Sequence, residues 1–162
     1  MDSINVPVPG RVRRLAADHR PALAAFDRVR EDHSMVCKRF ERQPDRRALD
    51  DTLAGTPAFE AAAVAIDFFT NPPRGSAPVL YLVVESPGLA TLHRRLVERF
   101  GTVAGLEGDD YTPHVTLARG GTVADAERLA GPLADPVTWT VSRLLPWNAE
   151  RRVPERSIPL PA

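Results

Sequence analysis

Two apolar runs, Phe59 to Phe69 and Pro78 to Glu85, are separated only by a turn built on Asn71-Pro-Pro-Arg-Gly-Ser, and no other feature limits the fold so tightly. Apolar runs of this kind, punctuated by Pro and Gly, read as two strands of an antiparallel hairpin. A lone hairpin is marginal in water, so other strands or helices must cover it. At 162 residues the chain has enough material for one domain or two small lobes with a real core.

The flanking segments supply both patterns. Ser3 to Val8 reads as a strand closed by Pro9-Gly10. Val12, Leu15, Ala16, His19, Leu23 and Phe26 recur at helical spacing, and Pro21 predicts a kink there or a break into two short helices. His33 to Phe40 is a second strand. Gln43-Pro44 then opens a helix, with Pro44 at its first position and Gly55 as its stop. After the hairpin, Ser86-Pro87 caps a helix whose Leu89, Leu92, His93, Leu96, Val97 and Phe100 form an apolar stripe ended by Gly101. Gly101 to Asp110 reads as a flexible, acidic connector. Tyr111 to Arg119 is a strand, Thr122 and Asp125 resemble a capping box before a last helix, and closing strands fall near Val137 to Leu145 and Arg152 to Leu160. This order implies an α+β chain with two antiparallel sheets, each half carrying a histidine in a strand.

Charge and cysteine usage narrow the function. Twenty-one basic and twenty-one acidic residues cancel, so no global field marks a nucleic-acid binder, although a local positive pocket remains compatible with an RNA-end enzyme. Lys38 is the single lysine; the other cations are arginines, whose planar forks suit phosphate. One cysteine, Cys37, excludes an internal disulfide and a cysteine-rich zinc site. No stretch approaches the ~20 apolar residues of a membrane span, and the start lacks signal-peptide features, so a cytoplasmic location is expected.

The segment Tyr111-Thr-Pro-His114-Val-Thr116-Leu-Ala-Arg119 carries the clearest chemistry. Residues two apart on a strand share a face, so His114, Thr116 and Ala118 point one way, with Arg119 on the opposite face. An imidazole moves a proton near neutral pH, and a neighbouring hydroxyl donates to a phosphate oxygen. Asp32-His33-Ser34-Met35-Val36-Cys37-Lys38-Arg39 is the second candidate. Two histidines on separate strands meet the needs of metal-free phosphodiester chemistry, one as base and the other as acid. Strict alternation puts Met35 and Cys37 on the His33 face and turns Ser34 away, unless a bulge brings Ser34 round. His19 and His93 lie on apolar helical faces as structural imidazoles, and Cys37 reads as packing. Tyr81, Trp139 and Trp147 are candidates for base stacking, two of which are expected to fill sheet cores.

His114-Val-Thr116-Leu, preceded by Tyr-x-Pro and followed by Ala-Arg119, resembles the second signature of the two-histidine (2H) phosphoesterase superfamily, which includes 2′-5′ RNA ligase and RNA 2′,3′-cyclic phosphodiesterase proteins. The His-to-His spacing and the element order are also similar. The resemblance implies a single bilobal domain over residues 1–162, with flanking helices and a central groove where paired His-x-Thr/Ser-x motifs face each other. It implies catalytic His33 and His114, phosphate ligands Thr116, Ser34 and Arg119, and no metal or cofactor. RNA ends or small nucleotides are the implied partners of what is expected to be a monomer. The first motif departs from the family pattern, since Met35 stands where the hydroxyl belongs. Lys38 and Arg39 are the charges placed to compensate. A catalytically weak nucleotide-binding module using the same groove is the rival reading.

Overall fold

A computed structural model describes all of residues 1–162. In chain order the elements are β1 (Asp2–Val6), α1 (Gly10–His19), β2 (Arg28–Val29), β3 (Met35–Phe40), α2 (Arg46–Leu53), β4 (Phe59–Phe69), β5 (Val79–Glu85), α3 (Pro87–Phe100), β6 (His114–Arg119), α4 (Val123–Leu129), β7 (Gly131–Val141), β8 (Arg143–Asn148), β9 (Val153–Pro154) and β10 (Ile158–Pro159). They form two antiparallel sheets. One runs β10-β8-β1-β3, with β9 on β8; the other runs β2-β6-β5-β4-β7. The predicted α+β architecture is therefore the observed one. No helix is long and apolar enough to cross a membrane.

Local chemistry explains most boundaries. Ser86 Oγ accepts from the Leu89 amide, Pro87 sits in the first turn, and Gly101 at φ 77° ends α3. This helix buries Leu89, Leu92, His93 and Leu96 against both sheets' core. Truncating any one of those leucines to alanine is worth about 2–5 kcal/mol of lost stability. The Thr122–Asp125 capping box forms as read, and the helix before Pro21 gives way to a 3-10 turn at Arg20–Leu23.

Several boundaries differ from the sequence reading: β3 and β6 begin two and three residues late, at Met35 and His114, and the strand expected over Val137 to Leu145 divides at Ser142 into β7 and β8 of different sheets. Helix α2 starts at Arg46, because the Asp45 carboxylate caps it through the Ala48 amide; Pro44 stays outside. The strand expected from Val137 begins at Gly131 and absorbs Pro132 and Pro136. Proline is tolerated there because β7 is the outer strand of its sheet, paired only with β4. The closing strand expected from Arg152 to Leu160 is reduced to β9 and β10, two residues each.

Strand β2, too short to show a sequence period, has the larger consequence. Arg28 and Val29 pair with Arg119 and Ala118, and the Arg30 amide donates to the Leu117 carbonyl at 2.8 Å. The segment leading into the first histidine is thereby zipped onto the strand that carries the second. Strands β3 and β6 also touch directly. One apolar cluster runs through both sheets, from Ile4 and Met35 to Leu82, Val115 and Val141.

Candidate functional site

On β6, His114 stands opposite Val83, Thr116 opposite Tyr81 and Arg119 opposite Val79. The register slips between Tyr81 and Leu80, so β6 carries one extra residue. Leu117 and Ala118 consequently both turn into the core, at 1% and 0% exposure. The bulge corrects strict alternation twice. Ala118 leaves the His114 face, and Arg119 joins it.

The His114 ring is held on several sides. Its Nδ1 lies 2.6 Å from the Thr112 carbonyl, which can only accept, so Nδ1 carries the proton and Nε2 keeps its lone pair. Phe69 and Tyr81 pack edge-on against it, with centroids 5.3 and 5.2 Å away. Burial pushes the His114 pKa below the ordinary histidine value, and Arg39 and Arg119 push it further; the Thr112 bond opposes them. The imidazole is therefore neutral at pH 7 with a basic nitrogen free. The Thr116 hydroxyl is half-buried and has no hydrogen-bond partner within the chain. Arg119 donates to the Arg74 carbonyl at 2.9 Å, and Gly75 makes room for it: a Cβ there would fall 2.8 Å from Arg119 Nη1.

The first motif is built differently. Strand β3 begins at Met35, so His33 and Ser34 precede the regular ladder and both line the cleft. Between Ile4, opposite Lys38, and Asn5, opposite Val36, β3 bulges at Cys37. Met35 and Cys37 are fully buried, which removes both from the groove face that alternation assigned them. Val36 and Arg39 face the cleft instead. Burial lowers the His33 pKa, and Arg20, Arg13 and Arg30 add to that against the pull of Asp32.

Lys38 does not compensate for the missing hydroxyl. It turns inward and pairs with Glu107 at 2.6 Å, both side chains 1% exposed. Glu107 also accepts from the Arg39 and Val103 amides. The connector read as flexible is thus pinned by a buried carboxylate. Its far end is held as well: the Tyr111 hydroxyl donates to the Val36 carbonyl at 2.9 Å, and His93 Nδ1 donates to the Cys37 carbonyl at 2.7 Å. The Gly108 amide satisfies His93 Nε2, so His93 is structural, as is buried Cys37. Tyr81 and Trp139 are buried, leaving Trp147 half-exposed on the cleft floor.

The cleft beside these strands holds about 1000 Å³. His33, Ser34, Val36 and Arg39 line it. His114, Thr116 and Arg119 form a second group on β6 and are not among the residues lining that cleft. Arginine joins the groups. Arg30 acts on both His33 and Arg119, and Arg39 on both Arg119 and His114. Six arginines line the cleft, Arg13, Arg30, Arg39, Arg74, Arg143 and Arg152, against one acid, Asp32. None of the six is in a salt bridge. Sequence reasoning missed this concentration because the arginines come from six separate elements and loops; only the Arg39 side was visible beside its histidine.

Two antiparallel sheets with flanking helices, one histidine ahead of β3 and another on β6, are the arrangement of the 2H phosphoesterase class. The model of the 2′-5′ RNA ligase superfamily matches residues 26–152, and the chain belongs to that family. No curated protein sequence matches it. Among solved structures it is similar to TT0787 of Thermus thermophilus, at 18% identity and TM-score 0.65, covering 99% of this chain and 98% of that one. It is also similar to E. coli LigT complexed with 3′-AMP, at 18% identity and TM-score 0.64, covering 98% and 97%. A third similar structure is E. coli LigT complexed with ATP, at 15% identity and TM-score 0.60, covering 99% and 98%.

Proposed function

We propose that this chain is a metal-independent phosphoesterase acting on 2′,3′-cyclic or 2′-5′ phosphodiesters of RNA ends or small nucleotides. His33 and His114 form the acid/base pair, and Thr116, Ser34 and Arg119 hold the phosphate oxygens. One observation carries the reading: β6 presents a neutral imidazole of fixed tautomer, an unbonded hydroxyl and an arginine on one face. The six-arginine cleft in a chain of zero net charge supports an anionic ligand, and LigT, a similar fold, is described with 3′-AMP and with ATP.

In the proposed step His114 Nε2 takes a proton from water as its oxygen bonds to phosphorus. The bond from phosphorus to one ribose oxygen breaks, and protonated His33 gives its proton to that oxygen. A 5′-hydroxyl in place of water makes the same exchange a ligation. Charge on the non-bridging oxygens is met by Arg119 and Thr116. A bound phosphodiester anion raises both imidazole pKa values, which supplies the protonated acid that free His33, held low by burial, lacks.

The test is turnover of a 2′,3′-cyclic nucleotide in chelator by the wild type and by His114→Ala. Product from the wild type, lost in the variant, is the expected result. Val36 in place of a hydroxyl on the first strand favours a second reading, a nucleotide-binding module of low activity. Saturable binding without product in the wild type would select it.

A further inference from the structure

We infer that Arg39 is a phosphate-binding residue of the first lobe, standing in for the hydroxyl that the first motif lacks; this rests on the anion-binding reading of the cleft. Two bulges set the frame. On β6, Leu117 and Ala118 turn inward and return Arg119 to the site face three positions after Thr116. On β3, Cys37 and Lys38 turn inward and place Arg39 on the cleft three positions after Val36. Counted from their bulges, Val36 corresponds to Thr116 and Arg39 to Arg119, with Ser34 rather than His33 at the His114 position. The hydroxyl has been lost from this frame and a guanidinium kept.

The backbone around Arg39 is fixed to an unusual degree. Side chains anchor four successive peptide links: Tyr111 holds the Val36 carbonyl, His93 the Cys37 carbonyl, and Glu107 and Lys38 the Arg39 amide and carbonyl. A buried ion pair that grips the backbone of a cleft-facing residue on both sides makes sense if that residue's direction matters. The Arg39 guanidinium itself has no acidic partner and no hydrogen bond within the chain, although a buried carboxylate sits behind its own backbone. Its charge helps to lower the pKa of His114 and of Arg119, and Arg74 acts on it in turn. A guanidinium without an acidic partner, on a cleft it shares with Arg30 and Arg74, is matched by a phosphate, whose oxygens accept two parallel N–H bonds.

The experiment compares wild type, Arg39→Ala, Arg39→Lys and the double variant Val36→Thr/Arg39→Ala. Calorimetry reads 3′-AMP binding, and a 2′,3′-cyclic nucleotide reads kcat and KM. Truncating Arg39 leaves its backbone anchors intact, so an unchanged melting temperature is expected. Arg39→Ala should weaken 3′-AMP binding about 10- to 100-fold. Arg39→Lys should recover only part, because a point charge lacks the fork. Added guanidinium should partly rescue Arg39→Ala, and Val36→Thr should restore part of the loss by returning a hydroxyl. Unchanged 3′-AMP affinity in a folded Arg39→Ala overturns the assignment while leaving the phosphoesterase reading standing. Wild-type binding without turnover, with Arg39→Ala still weakened, sinks the enzyme and keeps Arg39. Failure of the wild type to bind 3′-AMP overturns both.

Discussion

Strands β3 and β6 share a backbone device and differ in what they carry. Each turns two successive residues inward at a bulge, Cys37 and Lys38 in one, Leu117 and Ala118 in the other. On β6 the residues left facing the site are histidine, threonine and arginine in an ordered ladder. On β3 the ladder begins late, the histidine and serine sit ahead of it, and valine takes the threonine position. The support also differs. The β6 bulge needs only the β2 zipper and the core, whereas the β3 bulge is tied down by Tyr111, His93, Lys38 and Glu107. The comparison teaches that the same backbone device can present different chemistry in the two lobes.

That asymmetry is open to attack, beginning with the largest effect. His114→Ala should lower kcat/KM of cyclic-nucleotide hydrolysis by about 10²–10⁴, the usual contribution of a positioned acid or base. A loss at His33→Ala equal to or larger than that at His114→Ala would remove the ranking of the lobes. Glu107→Gln leaves Lys38 buried without its charge partner, so it should cost about 3–5 kcal/mol. In a chain of this size that lowers Tm by on the order of 10 °C. A Tm within 2 °C of wild type, roughly half a kcal/mol by the same scaling, would show that the β3 bulge does not depend on this lock.

The hydroxyls sharpen the contrast. Thr116→Ala should cost about 10²–10³ in kcat, as loss of a donor to a developing charge does. Exposed Ser34→Ala should cost less than about tenfold, one ordinary hydrogen bond. Equal losses would mean that the two lobes grip phosphate alike. The smallest effects concern pH. Burial lowers the pKa of His33, His93 and His114, so the unfolded chain binds more protons than the folded one below pH 6.5. The stability these groups contribute is present above that pH and is lost as pH falls through their folded values. Thermal melts from pH 7.5 to 5 should show the decline, which a bound phosphate should lessen. The kcat/KM optimum should likewise lie on the acid side of 6.5.

Much of this fold was legible from residue patterns. The hairpin, the capped α3 and the Thr122 box depend on local chemistry, and local chemistry is written in consecutive residues. The second motif was legible for the same reason. What alternation misplaced were Arg119, Ala118 and Cys37, on or beside a bulge, and Met35, whose face was counted from a His33 that precedes the regular strand. A bulge is set by the partner strand's register, here Ile4 to Asn5 and Leu80 to Tyr81, which lies far off along the chain and leaves no mark beside the bulged residue itself. Glu107 looked like one more charge in an acidic connector, because its partner Lys38 comes from another element. The arginine cleft escaped for a similar reason, being assembled wholly by the fold.

One pocket gripping one anion from both lobes is the central claim. Histidine resonances followed by NMR during titration with 3′-AMP test it directly, and His19 and His93 serve as internal references. The prediction is that the pKa values of His33 and His114 rise together at one saturating stoichiometry, while the resonances of the other two do not move. A rise confined to His114, or to neither, would contradict it.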